Sequence, residues 1–262
     1  MSDELSGAIA AARAYEGLHV PALFRQWAGP VLDAAGVGPG DHVLDVGCGT
    51  GVLAGEAAHR VGSTGAVTGL DIDGGMLAVA AELHPGIRWI EGAATDLPFD
   101  TNEFDAVVSQ FGLMFFPDRR RAIAEMVRCT KPYGVVVVAV WDALERNRPY
   151  STTVQLLERL AGPAAADALR APFSLGDIAD VEALVNGSST TATTEGTARF
   201  PSVRTMVDAE LRGWLPVMGV VLDEGLIEQI LVDAEAVLDP YRSPDGAMVF
   251  EVAAHVTTIR VY

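Results

Sequence analysis

Val43-Leu44-Asp45-Val46-Gly47-Cys48-Gly49-Thr50-Gly51 is the stretch on which the fold of this chain turns. An apolar strand carries an acidic residue near its end and runs into a loop with glycine at every second position, after which the pattern becomes helical. Glycine permits positive φ and lets a ligand approach the backbone, and the free N–H groups at the start of the next helix attract an anionic group. The stretch therefore reads as the mouth of an α/β nucleotide site.

Outward from it, residues 41 to 142 alternate short β-branched runs with helical patterns, as parallel β-α-β units do. The spacing predicts strands over His42–Val46, Ala66–Leu70, Arg88–Glu91, Phe104–Gln110 and Gly134–Val140, and helices over Gly51–Arg60, Gly74–Leu83 and Asp118–Cys129. Val-Val-Val-Val-Ala-Val at 135 to 140 is the continuous apolar run expected of a strand covered on both faces. Ahead of this core, Leu5–Tyr15 and Pro21–Ala35 read as two helices, ended by Gly36-Val37-Gly38-Pro39-Gly40. Behind it, helices are predicted at Ser151–Ala161, Ala164–Arg170, Asp177–Val185, Ser202–Gly213 and Glu224–Val237, with strands at Thr190–Phe200 and Met248–Tyr262. The plan is one domain over 1–262: a cofactor-binding core at 36–142, a helical cap with acceptor-site elements at 1–35 and 143–240, and a final strand at 246–262.

Half of the 262 residues are apolar, yet the longest strongly apolar run, Val135–Trp141, is far shorter than the roughly 20 residues that span a bilayer. No membrane span is expected, and the acidic start Met1-Ser2-Asp3-Glu4-Leu5 points to a cytoplasmic protein. Cys48 and Cys129 are too few and too far apart for a disulfide framework or a zinc cluster, so no metal site is read. Thirty-five acidic residues against eighteen basic ones give a formal charge of −17, which repels a phosphate backbone and argues against nucleic acid as a partner. The basic cluster Arg119-Arg120-Arg121 with Arg128 and Lys131 reads as a solvated helix face.

Ligands of open α/β sheets bind outside the carboxyl ends of the strands, where four loops of this chain should meet. The first is the glycine loop. In the second, Asp71 ends a strand twenty positions after Gly51 and can accept hydrogen bonds from both hydroxyls of a ribose, while Asp73 suits the N-cap of the next helix. The third is Glu91–Phe99. The fourth, Ser109–Asp118, sets six apolar residues beside the amide of Gln110, as a wall between cofactor and apolar acceptor would. Alone, the glycine loop is ambiguous, because Gly49-Thr50-Gly51-Val52-Leu53-Ala54 also fits the dinucleotide pattern G-x-G-x-x-A.

Together these residues resemble the class I S-adenosylmethionine-dependent methyltransferases, in particular the small-molecule subgroup of ubiquinone and menaquinone biosynthesis. The resemblance rests on Val43–Gly51, on Val67-Thr68-Gly69-Leu70-Asp71 with Met76-Leu77, on Leu97-Pro98-Phe99 followed by Phe104-Asp105-Ala106-Val107, and on Lys131-Pro132-Tyr133-Gly134, in order and at the right spacing. It implies a Rossmann-like, doubly wound seven-stranded sheet whose last strand is antiparallel. It also implies that Asp45 orients the cofactor amino group and that Gly47, Cys48, Gly49 and Gly51 lie against its methionine part. Asp71 would hold the ribose, Ile72 and Met76 would flank the adenine, Ala93 and Ala94 would border its edge, and Gln110 would sit near the transferring methyl. Ala93 departs from the family, which often has Asp there, and Tyr133 stands where a glycine is usual. Asp45 further separates the readings, because it would repel a pyrophosphate and attract the ammonium of a methionine.

The function so implied is methyl transfer from S-adenosylmethionine to a small, largely apolar metabolite on O, N or C, with S-adenosylhomocysteine as product and the chain a monomer or homodimer. The alternatives are an S-adenosylmethionine-binding protein with a non-catalytic role or another reaction and, more remotely, an NAD-dependent oxidoreductase. In-line transfer from a sulfonium needs mainly alignment and dryness, so a base is required only where the acceptor loses a proton. His42, His59 and His84 are expected towards the wrong end of the sheet and His255 falls in the last strand, which leaves His19, between the N-terminal helices, as the candidate catalytic residue. Tyr15, Phe24, Trp27, Phe111, Met114, Asp142 and Tyr150 are the candidates for the acceptor pocket.

Overall fold

A computed structural model of the chain describes residues 3–185 and 187–262; Met1 and Ser2, which open the acidic terminus, lie outside them. In chain order the elements are α1 (Asp3–His19), α2 (Ala28–Ala35), β1 (His42–Val46), α3 (Val52–Val61), β2 (Ala66–Asp71), α4 (Gly74–Leu83), β3 (Arg88–Glu91), β4 (Phe104–Gln110), α5 (Arg119–Cys129), β5 (Thr130–Trp141), α6 (Arg148–Ala161), α7 (Pro163–Arg170), α8 (Ile178–Glu182), β6 (Ser189–Phe200), α9 (Val203–Ala209), α10 (Leu215–Val217), α11 (Glu224–Val237) and β7 (Met248–Arg260). The strands make one seven-stranded sheet in the order β3-β2-β1-β4-β5-β7-β6. The first five are parallel, and β7 is antiparallel to β5, with Tyr133 N–H donating to Val261 O at 2.8 Å and Val261 N–H to Gly134 O at 3.1 Å. The chain leaves β1 towards β2 and β3, then returns to place β4 on the other side of β1. The carboxyl ends of β1 and β4 thus flank a topological switch point, where such sheets bind ligands.

The chain divides into two compact units: Met1–Val140 with Asp177–Thr194 and Ala254–Tyr262, and Trp141–Gly176 with Glu195–Ala253. In the first, the two-residue period of the strands sends Val43, Val67, Ala106, Val108, Val135, Val137, Ala139 and Val256 to one face, where Ala28, Val31 and Leu32 of α2 and Leu53, Ala54, Ala57 and Val61 of α3 cover them. Val136, Val138 and Val140 are equally buried on the opposite face, so β5 is covered on both sides as its unbroken apolar run predicts. In the second unit, Tyr150 packs on Phe173 and Phe250 at ring distances of 5.4 and 5.9 Å, and Phe200 stacks on Phe250 at 6.3 Å. Helix α11 turns Ile227, Ile230, Leu231 and Ala234 inward, the i, i+3, i+4, i+7 stripe of a helix with one buried face.

The expected elements are present, with four instructive differences. Helix α1 runs on to His19, so His19 closes a helix and does not lie between two. The expected helix Pro21–Ala35 is broken into a π-helical turn at Val20–Phe24, a 3₁₀ turn at Arg25–Trp27 and α2. Pro21 has no N–H to donate, and the Arg25 N–H reaches back five residues to Val20 O. Strand β5 begins at Thr130, with an irregular register between Phe104 and Ala106 and with Tyr133 at φ 69°. The Ser202–Gly213 helix stops at Ala209 and continues as a π-helical turn, Glu210–Trp214.

The basic cluster is also not merely a solvated face. Arg128 donates to Phe99 O at 2.8 Å, to Leu97 O at 3.0 Å and to Glu125 at 2.7 Å, Arg121 donates to Thr95 O at 3.2 Å, and Lys131 pairs with Asp105 at 2.9 Å. Glu125, 4% exposed, accepts in addition from Leu97 N–H at 3.2 Å, so α5 holds the loop after β3 by its carbonyls and its one buried carboxylate. Glu125→Ala would leave the Leu97 N–H without its acceptor and take the carboxylate partner from Arg121 and Arg128, and should lower stability at pH 7 by about 2 kcal/mol in urea melts. The Arg128 guanidinium holds the Glu125 carboxyl below its ordinary range, so the difference should be full at neutral pH and shrink below about pH 4. A loss that does not depend on pH would assign it to packing alone.

Candidate functional site

The glycine loop leaves β1 with Gly47 at φ 73°, Gly49 at φ 53° and Gly51 at φ 90°, a region that side chains disfavour. Gly47 N–H and Cys48 N–H both donate to Leu70 O, at 2.8 and 3.0 Å, which ties the loop to the end of β2. From below, the Trp89 indole of β3 fills the space where a side chain on Gly51 would stand, 2.6 Å from such a Cβ, and it also fills the corresponding space at Gly69. The Phe116 ring lies 3.3 Å from a Cβ built on Gly47. Gly49 differs from both neighbours in having nothing within 4 Å there, so the cradle opens at Gly49.

Two carboxyl groups face this cradle from adjacent parallel strands. Asp71 closes β2; its Oδ2 accepts Gly49 N–H at 2.7 Å and its Oδ1 accepts Asp73 N–H at 3.0 Å. Burial raises its pKa, and the two N–H donors oppose that rise. Asp45 is 1% exposed, and neither carboxyl oxygen has a hydrogen-bond partner among the described residues. The Ala54 N–H, in the first turn of α3, eases its charge but makes too poor a contact to count as a bond. Burial first, and then the neighbouring Asp71 carboxylate, push the Asp45 pKa up to about 8. The buried Cys48 thiol is pushed up by burial and by the same two acids, so it stays protonated and unreactive.

The other expected contact residues are arranged around these. Ile72, 75% exposed, follows Asp71, and Met76 sits in the first turn of α4, where the Asp73 side chain caps Gly75 N–H at 2.7 Å and Met76 N–H at 3.1 Å. Ala93 is half-buried and Ala94 buried in the loop after β3, whose Gly92 N–H donates to Asp71 O at 2.9 Å. Gln110 ends β4 with its Nε2 donating to Phe24 O at 3.2 Å and its Oε1 buried without a partner. The N-terminal segment brings Tyr15, Phe24, Trp27 and Phe111 into one aromatic cluster, with ring distances of 5.4 Å for Tyr15–Phe24, 5.5 Å for Phe24–Phe111 and 5.9 Å for Trp27–Phe111. His19 stacks on Tyr15 at 5.7 Å, and Met114 is buried nearby in sequence to Phe111. Phe111 itself is held at φ 56°, backbone strain of the kind that collects at functional sites. Asp142 and Tyr150 belong to the second unit. There Asp142 accepts Ala143 N–H at 2.7 Å and pairs with Arg146 at 3.3 Å, and the Tyr150 hydroxyl meets Glu210 at 3.5 Å within the aromatic core.

Three groups near the loop were not expected. Glu16 of α1 accepts the Thr50 hydroxyl at 2.6 Å, and with Arg25, Glu56, His59 and His84 it lines a cleft of about 440 Å³ along α3. His59 in the last turn of α3 and His84 just after α4 end their helices as expected, but the His84 ring reaches back to pack on Gly55, one turn into α3. Burial of the Tyr15 phenol, with the Glu16 and Asp71 charges adding to it, raises its pKa. The available signal for Glu16 was its place on the Ala12, Tyr15, Glu16, His19 stripe of α1, an acid at a position expected to face inward.

Residues 43–134 match the family described as methyltransferase domain. The chain is 40% identical over 151 residues to the chloroplastic 2-phytyl-1,4-beta-naphthoquinone methyltransferase of Arabidopsis thaliana, 54% of this chain and 57% of that protein. It is 46% identical over 115 residues to the demethylmenaquinone methyltransferase of Renibacterium salmoninarum, 44% of this chain and 47% of that one. The chain thus spans about half the length of the curated relatives it matches. A putative methyltransferase from an antibiotic biosynthesis pathway of Anabaena variabilis shares the fold with a TM-score of 0.63 at 15% identity, over 91% of this chain and 98% of that one.

The raised Asp45 pKa has a consequence for the protein without ligand. A carboxyl whose folded pKa is about 8 lends stability that is complete below its unfolded value near 3.8 and is lost as the pH rises through about 8. Asp45→Asn cannot ionise, so its melting temperature should exceed that of the wild type by several degrees at pH 8 and converge with it at pH 4. Parallel melting profiles across that range would contradict the assignment of a buried, unpaired acid.

Proposed function

We propose that this chain, whose sheet core is that of a class I S-adenosylmethionine-dependent methyltransferase, transfers a methyl group from S-adenosylmethionine to a small, largely apolar metabolite and releases S-adenosylhomocysteine. The observation that carries this reading is the pair of carboxyl groups at the open glycine cradle, one of them buried without a partner. A nucleotide pyrophosphate there would meet two acids, whereas the ammonium of a methionine would give Asp45 the donor it lacks and draw its pKa down. The cradle suits the same group, because Gly49 leaves its approach side open.

On this reading Asp45 orients the amino group, and the backbone of Gly47, Cys48, Gly49 and Gly51 lies along the methionine part. Asp71 retains accepting capacity on both oxygens for the ribose hydroxyls, and exposed Ile72 with Met76 flanks the adenine beside Ala93 and Ala94. Gln110, fixed through Nε2 to Phe24 O, keeps Oε1 for the methionine end. When bound, the cofactor supplies a methyl already activated on a positive sulfur, so the protein's part is alignment and exclusion of water. Tyr15, Phe24, Trp27, Phe111 and Met114 supply a dry wall for an apolar acceptor. His19, beside Tyr15, is the group proposed to take a proton where the acceptor must lose one. The Arabidopsis relative is named for 2-phytyl-1,4-beta-naphthoquinone and the Renibacterium one for demethylmenaquinone; for this chain the acceptor class proposed is the broader one of small apolar ring compounds. A surface of charge −17 fits such an acceptor better than a nucleic acid.

Incubation with methyl-labelled S-adenosylmethionine and a panel of naphthoquinols and phenols should move label into at least one of them, and no transfer to any small molecule would contradict the reading. Asp71→Ala should weaken S-adenosylhomocysteine by about tenfold or more, the worth of a charge-assisted hydrogen-bond pair. Unchanged affinity would remove Asp71 from the site.

A further inference from the structure

Resting on the cofactor reading above, we infer that Glu16 is a positioning residue: by accepting the Thr50 hydroxyl it fastens α1 to the glycine loop and holds that loop in its binding shape. Thr50 is 1% exposed, and its Oγ1 donates to Glu16 Oε2 at 2.6 Å across 34 residues of sequence. A buried hydroxyl needs a partner, and an ionised acceptor makes the bond shorter and stronger than a neutral one. The Glu16 side chain is 22% exposed and has Arg25 at 3.9 Å, so a cation stands beside it on its solvent side.

The loop needs such a hold. Three glycines in five residues give it more backbone freedom to lose than a stretch of that length without glycine would have. On one side Asp71 fixes Gly49 N–H at 2.7 Å; on the other Glu16 fixes the side chain of the very next residue. The Gly49–Thr50 peptide is thus clasped between a carboxylate of β2 and a carboxylate of α1, at the point where the cradle opens.

Anchoring α1 is not the task of this bond. Gly75 lets the Ala8 backbone approach α4 so closely that a Cβ there would stand 2.6 Å from Ala8 C, and Arg13 grips both oxygens of Glu82 at 2.9 Å. Helix α1 therefore stays docked without Glu16, and loss of Glu16 should be felt by the loop and not by the fold.

Calorimetric titration with S-adenosylhomocysteine tests this in a double-mutant cycle. Glu16→Ala and Thr50→Val should each weaken binding about tenfold, while the double variant should be no weaker than either single one, since both remove the same bond. Glu16→Gln and Thr50→Ser, which keep an acceptor and a hydroxyl, should stay within about threefold of wild type. Unchanged affinity in Glu16→Ala and Thr50→Val, or a Glu16→Gln as weak as Glu16→Ala, would overturn the latch, the second by showing that charge alone matters. Wild-type protein that fails to bind would defeat the cofactor reading instead. Amide exchange in the free protein judges the latch separately: residues 49–54 should exchange faster in Glu16→Ala and Thr50→Val than in wild type, with α1 protection kept and the melting temperature lowered by no more than a few degrees. Equal exchange at those residues would refute it.

Discussion

The hydrogen bond from Gly49 N–H to the Asp71 carboxylate, at 2.7 Å, is the contact from which the rest of the site is built. It joins the carboxyl end of β2 to a loop that starts from β1, and it does so with a charged acceptor in a half-buried place. The second oxygen is held by Asp73 N–H, and the Asp71 carbonyl receives Gly92 N–H from the loop after β3. Three loops therefore meet on one residue. The cost is carried next door, where Asp45 loses water and gains a negative neighbour with no donor of its own. Two acids kept side by side at the end of a parallel sheet are hard to reconcile with a stability role, and they suit a cationic ligand.

Packing supplies the second constraint. The parallel order β3-β2-β1-β4-β5 fixes which loops are neighbours, and the Trp89 indole beneath Gly51 and Gly69 fixes how low the glycine loop can lie. Phe116 limits the loop at Gly47, and of its three glycines Gly49 is the one that stands open. The aromatic cluster of Tyr15, Phe24, Trp27 and Phe111 joins the N-terminal segment to the end of β4, and Gln110 bridges the same two elements with a polar contact. The site is thus bounded by strands below, glycine backbone to one side and aromatic rings on another.

Much of this was legible in the sequence because it is local. The runs Arg88–Glu91 and Phe104–Gln110, the helices Gly74–Leu83 and Glu224–Val237, and the cap by Asp73 all have the bounds or role that periodicity and capping chemistry assign. Asp45, the three glycines and Asp71 could be read together because their spacing follows from one β-α-β unit. What stayed hidden depends on contacts between distant segments. Glu16 meets Thr50 across 34 residues, and Arg128 reaches Leu97 across 31, through helix faces that carry no motif. The π-helical turn at Val20–Phe24 escaped for a different reason, since Pro21 fits the first turn of an ordinary helix as well as a widened one. The contacts of Asp142 and Tyr150 with Arg146 and Glu210 within the second unit were likewise not legible, because the sequence pattern does not specify that unit's packing.

On the proposed reading the cradle takes the methionine end of a methyl donor and not a pyrophosphate. Calorimetry of the wild-type chain with S-adenosylhomocysteine, S-adenosylmethionine and NAD measures it most directly. Saturable binding of the first two at one site per chain, with none of NAD, is expected, whereas binding of NAD alone would overturn that reading.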